Sequence, residues 1–200
     1  MSLVNIIPGY REAIETERTA REVAFLCAPD SICGVLIAPL TIHRFTVLDA
    51  IKSPFVAGGE ISHVDVARFV WILSPKFSEK NDWLTRIRRD SCYRACRGIN
   101  FGEACAKIES IIADSFADTL GGKPAGQNDA SYYSWIAAIV DTLASEYGWN
   151  EEQILNIPLT RVWQYLRIIK LRTSVKNEPM FNRSDKVRGA WLAAQNKSQN

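Results

Sequence analysis

The chain has 200 residues, of which 47% are hydrophobic, and its formal net charge is +2. This length and composition can bury a continuous core, and they exclude a disordered or low-complexity chain. The longest apolar run, residues 31–40, is interrupted by Gly34 and Pro39 and falls short of the roughly 20 residues that span a membrane. The first residues lack the basic flank and cleavage pattern of a secretory signal, so we expect a folded cytoplasmic protein.

Residues 10–27 are rich in charges of both signs. Arg11 and Glu15 are four residues apart, as are Glu17 and Arg21, a spacing at which opposite charges support a helix. A surface helix is therefore predicted over 10–27. The hydrophobic segment after it could form a lone strand, a hairpin edge or an irregular buried segment, and we favour an irregular or weakly extended segment near 32–38.

Most of the remaining chain shows helical spacing of its apolar residues. Thr41, Ser62, Asp82 and Asn150 stand at predicted helix starts, where short polar side chains can accept bonds from the first backbone N–H groups. We predict helices over residues 41–51, 62–73, 82–97, 101–120, 132–147, 151–155 and 159–172, with a short basic helix over 184–194.

Residues 121–130 form the clearest predicted break, because they are rich in glycine and other residues that leave regular structure. They divide the chain into an N-terminal helical region, 1–120, a linker or exposed loop, 121–130, and a C-terminal helical region with a basic tail, 131–200. The predicted fold class is all-α, an irregular multi-helix bundle with at most a short extended segment near 32–38.

The five cysteines are irregularly spaced, which predicts reduced thiols and no disulfide framework. Cys92 and Cys96 are four residues apart, but structural zinc usually needs a second pair of ligands, and His43 and His63 have no ligand spacing to them. Phosphate loops, dinucleotide turns and nucleophile elbows are missing as well. We therefore expect no catalytic residues, no cofactor, no metal site and no enzyme activity.

The predicted helix over 82–97 aligns Arg86, Arg89, Tyr93 and Arg97 along one stripe. Such a stripe can follow a phosphate backbone, so these residues are candidates for nucleic-acid contact. Asp90 lies four residues from Arg86 and can neutralise part of the stripe, and the alternative interpretation is a solvated helix face.

The short helix over 151–155 and the helix from Leu159 could form a helix-turn-helix with outward residues that include Gln164 and Arg172. At about 100° per residue, however, Tyr165 and Ile168 fall opposite the stripe of apolar residues that begins at Leu159. An aromatic and an aliphatic residue outside the core face suit a protein partner better than DNA, unless another helix covers them. The predicted partner-binding residues are Trp135, Trp149, Arg161, Trp163, Tyr165, Arg167 and Ile168.

Residues 38–59 and 65–75, together with the stretch from Tyr147 to Leu166, resemble the phage tail assembly chaperones, which are small cytoplasmic proteins of tailed-phage structural operons. These stretches make up about a quarter of the chain. The resemblance implies a mostly helical, non-enzymatic phage protein in the cytoplasm of the infected bacterial host. Such a protein binds the hydrophobic helices of the tape measure protein. The resemblance also implies help in bringing tail tube subunits to those helices, and absence from the finished virion.

Two alternatives stay open at the level of sequence. A DNA-contacting phage packaging or regulatory protein would use the stripe from Arg86 to Arg97 and the helix pair after Gly148. A virion component that joins head to tail would remain in purified particles. The salt dependence of the affinity distinguishes nucleic-acid binding from apolar binding. An affinity built on several phosphate contacts falls by orders of magnitude as the salt concentration rises, whereas the affinity of an apolar interface changes little.

Overall fold

The computed structural model describes residues 30–98, 100–118 and 134–173, together with Glu15, Glu22 and Phe25. Its contacts divide the chain into two units, one of residues 28–166 and one of residues 1–27 with 167–200. The predicted helix over 10–27 is described only at three positions, of which Glu15 and Glu22 are helical. The predicted linker over 121–130 and the predicted helix over 184–194 lie outside the described residues.

The described part of the chain is mostly helical and contains one small sheet, which confirms the predicted fold class. Pro54–Ala57 is a single helical turn with Pro54 in its first position, and it was not among the predicted helices. In the same residues, no helix has the length and apolar character needed to cross a membrane. The helices are α1 Ile42–Ala50, α2 Pro54–Ala57, α3 His63–Leu73, α4 Trp83–Ala95, α5 Phe101–Phe116, α6 Trp135–Tyr147, α7 Glu151–Leu155 and α8 Leu159–Thr173.

The sheet is an antiparallel hairpin of β1, Asp30–Ile32, and β2, Val35–Ile37. Cys33 and Gly34 between the strands have φ angles of +56° and +72°, the signs that a two-residue type I′ hairpin turn requires. The extended segment expected near 32–38 is present, and it takes the form of a hairpin because the chain doubles back at this turn.

The predicted helix starts at 41, 62, 82 and 150 are confirmed by their hydrogen bonds. Each cap side chain satisfies a backbone N–H that would otherwise lack a partner in the first helical turn. Ser62 and Asn150 also form full capping boxes, in which the side chain three residues later accepts from the cap N–H. The backbone donors are Arg44 to Thr41, Asp65 to Ser62, Thr85 to Asp82 and Gln153 to Asn150.

α3 forms the centre of the unit comprising residues 28–166. Val66, Phe69, Val70 and Leu73 are fully buried and follow the i, i+3, i+4, i+7 spacing of one helical face. The helix packs against α1, α4, α5 and β2. The predicted core positions of this helix are therefore where the sequence pattern placed them.

The entry into α1 is tied to both α3 and the start of α8. The N–H of Leu159 donates to the carbonyl of Leu40 at 2.9 Å. Arg44 donates to the carbonyls of Leu73 at 2.7 Å and Ser74 at 3.3 Å, so a cation lies at the C-terminus of α3, where the helix dipole favours it. Burial lowers the pKa of Arg44. These contacts fix α1, α3 and the first turns of α8 together.

Candidate protein-binding surfaces

Four aromatic side chains from α1, α5, α6 and α8 meet in what we call the inner aromatic group: Phe45, Phe116, Trp135 and Trp163. The ring centroid of Phe45 lies 5.2 Å from that of Phe116 and 5.5 Å from that of Trp135. The two indoles are stacked, with centroids 6.3 Å apart and planes at 25°. Trp163 is only 9% exposed and Trp135 is 39% exposed, so one indole is internal and the other presents an open side.

Trp163 also binds the end of α5 through its polar edge. Its Nε1 donates to the carbonyl of Ser115 at 2.8 Å in a buried hydrogen bond. This carbonyl belongs to the last turn of α5, where helix carbonyls run out of intrahelical donors. Next to it, Gln164 donates to the carboxylate of Asp118 at 2.8 Å. The structure thus places Trp163 in the core of its unit, and not on the surface predicted for a partner.

Tyr147, Trp149 and Tyr165 form a second cluster, the outer aromatic group. Their ring centroids lie 4.7 to 5.7 Å apart, and all three side chains are half-buried. Gly148 brings them together because its φ of +67° closes the end of α6 and turns the chain back so that Trp149 stacks on Tyr147. Two residues of the predicted partner-binding set, Trp149 and Tyr165, are thereby adjacent.

The remaining residues of the predicted partner-binding set lie along α8. Arg161 is half-buried and belongs to the unit of residues 28–166. Arg167 is buried and Ile168 is exposed, and both belong to the other unit. Among the aromatic members of the predicted set, Trp135 is exposed and Trp149 and Tyr165 are half-buried.

Three large apolar side chains are exposed close together on α4, where the sequence predicted nucleic-acid contact but no apolar binding surface. Trp83 is 67% exposed, Leu84 43% and Ile87 53%. We call these three residues the α4 apolar face. The buried side of the same helix carries Thr85 and Cys92, so α4 turns its smaller side chains toward the core and leaves its largest apolar ones in solvent.

The predicted basic stripe borders the α4 apolar face. Arg86 and Arg97 are exposed, and Arg86 donates to the side-chain oxygen of Asn81 at 3.1 Å. Arg89 is half-buried, with its Nε 3.8 Å from the carboxylate of Asp90. Tyr93 is half-buried too, and burial raises its pKa. Only part of the predicted stripe is therefore open to a ligand.

The charge around α4 is strongly uneven. Residues 76–97 contain seven basic and three acidic side chains, whereas the whole chain has a net charge of only +2. All five cations between Trp83 and Arg97 are arginines. Arginine is preferred over lysine where a planar fork must bind carboxylates or phosphates in pairs of hydrogen bonds. This region is consequently a basic and apolar surface on one helix.

The described cysteines Cys33, Cys92 and Cys96 form one group of contacting thiols, in which the hydrogen bond with Cys96 lowers the pKa of Cys92. Cys96 contacts the thiols of Cys33 and Cys92, and burial followed by the contact with Cys96 raises the pKa of Cys33 to about 12. A thiol in this state is protonated near neutral pH and is a poor nucleophile. Within the described ranges, no group of three or more His, Cys, Asp or Glu residues could hold a metal ion.

Comparison with known proteins returned no family model, no curated protein and no solved structure that matches this chain. The mainly helical fold and the exposed surfaces of the described residues are therefore the features that bear on its function.

Proposed function

We propose that this protein is a non-enzymatic binding protein that acts as a tail assembly chaperone of a tailed phage. In this role it keeps the hydrophobic helices of the tape measure protein soluble in the infected host and helps bring tail tube subunits to them. The observation that carries the proposal is that large apolar side chains stay exposed on a unit that already has a closed core. The clearest of them are Trp83, Ile87 and Trp135.

The physical argument concerns the cost of that exposure. A monomeric protein rarely leaves a contiguous apolar patch in water unless the patch binds something. Tryptophan and arginine are the residues most enriched among those that dominate binding energy at protein interfaces. Trp83 with its arginine neighbours, and Trp135 on the inner aromatic group, match that composition. An apolar helix lying along such residues is one of the recurring modes of peptide recognition.

Co-expression tests this proposal. We expect the tape measure protein encoded beside this gene to stay in the soluble fraction only when this protein is present, and to co-purify with it. An unrelated helical protein of similar size, expressed at the same level, is the control. If the tape measure protein is equally insoluble with and without this chain, the chaperone proposal is wrong.

Nucleic-acid binding is the second candidate, favoured by the exposure of Arg86 and Arg97 on one side of α4. The half-buried positions of Arg89 and Tyr93 leave fewer groups for phosphates than the sequence predicted. Binding to duplex DNA through several phosphates should weaken by orders of magnitude between 50 and 200 mM salt, roughly as counterion release requires. A nucleic-acid role would be supported by such a salt dependence together with a client that stays insoluble.

A further inference from the structure

α4 is packed with its less apolar side inward, and this orientation determines which residues a partner meets. At about 100° per residue, Trp83, Ile87 and Leu84 occupy a sector of the helix opposite the buried Thr85 and Cys92. Arg86 lies on one side of that sector and Arg88 on the other, and both are exposed. The sector is thus an apolar strip between two cationic side chains.

We propose that the α4 apolar face binds an acidic amphipathic helix of a protein partner. Apolar side chains one turn apart on that helix would cover Trp83 and Ile87, and its flanking carboxylates would pair with Arg86 and Arg88. This inference rests on the proposed function, since it names the kind of client segment that the chaperone would hold. According to this inference, the chaperone prefers client segments that are acidic as well as apolar, a preference that apolar binding alone does not require.

Charge complementarity is the reason for assigning an acidic partner. The segment around α4 has an excess of basic side chains, and Asp90 is the only acidic residue within the helix itself. Arg86 and Arg88 carry planar guanidinium groups, which pair with carboxylates through two parallel hydrogen bonds. An acidic helix would meet attraction from Arg88 on one side of the apolar strip and from Arg86, whose charge Asp90 partly offsets, on the other, whereas a basic helix would place like charges opposite both arginines.

The same face fits a lipid surface or a nucleic acid less well. A helix that lies in a membrane surface carries apolar residues along its length, but beyond Ile87 the exposed side of α4 continues with Asp90, Ser91 and Arg94. A phosphate backbone would have to lie across three apolar side chains that it cannot desolvate favourably. A helix with both apolar residues and carboxylates satisfies the two parts of the surface together.

Fluorescence anisotropy with designed peptides tests the inference on the full chain. The probe is a labelled helical peptide with leucines one turn apart and glutamates on both flanks, and its partner peptide has lysines in place of the glutamates. We expect the glutamate peptide to bind at least about tenfold more tightly. Trp83→Ala should weaken it about thirty-fold, the loss typical of an aromatic that dominates an interface. Leu36→Ala, which removes an exposed leucine on β2, should leave the affinity unchanged.

Reversing the charge of two arginines distinguishes the loss of a binding surface from the unfolding of the protein. The double variant Arg86→Glu and Arg88→Glu should reject the glutamate peptide and gain affinity for the lysine peptide, which an unfolded protein cannot do. Equal binding of both peptides to the wild type, or full binding by Trp83→Ala, would overturn the assignment. Tighter binding of a single-stranded oligonucleotide or of anionic phosphatidylserine vesicles than of the glutamate peptide would overturn it as well. Solubility of the tape measure protein is a separate readout, so the chaperone proposal can survive while this face is excluded.

Discussion

Replacing Trp163 by phenylalanine tests whether the inner aromatic group is structural. The substitution keeps a large aromatic ring in the core but removes the Nε1 donor to the carbonyl of Ser115, which lies 2.8 Å away in a buried position. The centroid of Phe116 lies 5.9 Å from that of Trp163, and the indole of Trp135 is stacked on it. The variant therefore separates the hydrogen bond from most of the packing.

Two losses add in the Trp163→Phe variant. A buried carbonyl deprived of its donor costs about 1–3 kcal/mol. The volume that the smaller ring leaves empty costs on the order of 1 kcal/mol at roughly 24 cal/mol per Å³ of cavity. We therefore expect the free energy of unfolding to fall by about 2–4 kcal/mol. Trp163→Ala should lose at least about 3–5 kcal/mol, because it also removes the contacts with both neighbouring rings.

Urea unfolding followed by far-UV circular dichroism measures these losses, provided that the dependence on denaturant is unchanged between variants. Trp83→Phe is the matched control, since it makes the same chemical change at an exposed indole and should shift the free energy by less than about 0.5 kcal/mol. If Trp163→Phe also costs less than about 0.5 kcal/mol, the buried hydrogen bond does not stabilise the fold.

Two further changes test local features of the same unit. Cys33→Asn should raise the free energy of unfolding by about 0.5–1 kcal/mol, because asparagine accepts the positive φ of a type I′ turn and relieves part of the roughly 1–3 kcal/mol that such conformations cost. An unchanged or lower melting temperature would contradict this interpretation of the turn. The hydrogen bond from Lys107 lowers the pKa of Asp30, so its stabilisation is present above the unfolded pKa near 4 and disappears as pH falls through the lower folded value. Lys107→Ala should cost up to about 1 kcal/mol at pH 7 and nothing once Asp30 is protonated, and a loss that is the same at both pH values in urea unfolding would exclude this ion pair as the cause.

The helix starts were predictable because capping is local. Whether Ser62 or Asn150 accepts a bond from the N–H three residues later depends on a few neighbouring residues, all visible in the sequence. The apolar spacing of α3 was equally readable, since its buried side chains repeat with the period of the helix. The hairpin turn could not be predicted from the sequence, because Cys33 is not one of the residues that usually adopt a positive φ in such turns.

The orientation of α4 depends on its neighbours and so could not be read from its own residues. Pattern analysis assigns the apolar residues of a helix to the core, which would have buried Trp83 and Ile87. In the structure Thr85 and Cys92 are buried in their place, and α4 packs against α3, most of whose residues are buried. Small side chains let two such helices approach closely, whereas an indole between them would force them apart.

The same dependence on neighbouring elements explains why the sequence predicted partner-binding residues on α8 but not the exposed indole of Trp83 on α4. Trp163 is far from Ser115 in sequence. The residues around Trp163 therefore cannot predict that the end of α5 supplies a hydrogen-bond acceptor for its indole. Once that bond forms, one of the three tryptophans of the predicted surface is used within the fold. Trp83 has no such acceptor among the hydrogen bonds of the described residues, and its ring is largely exposed to solvent. An exposed indole that the fold does not need is a stronger indication of a partner than a buried one that completes the core.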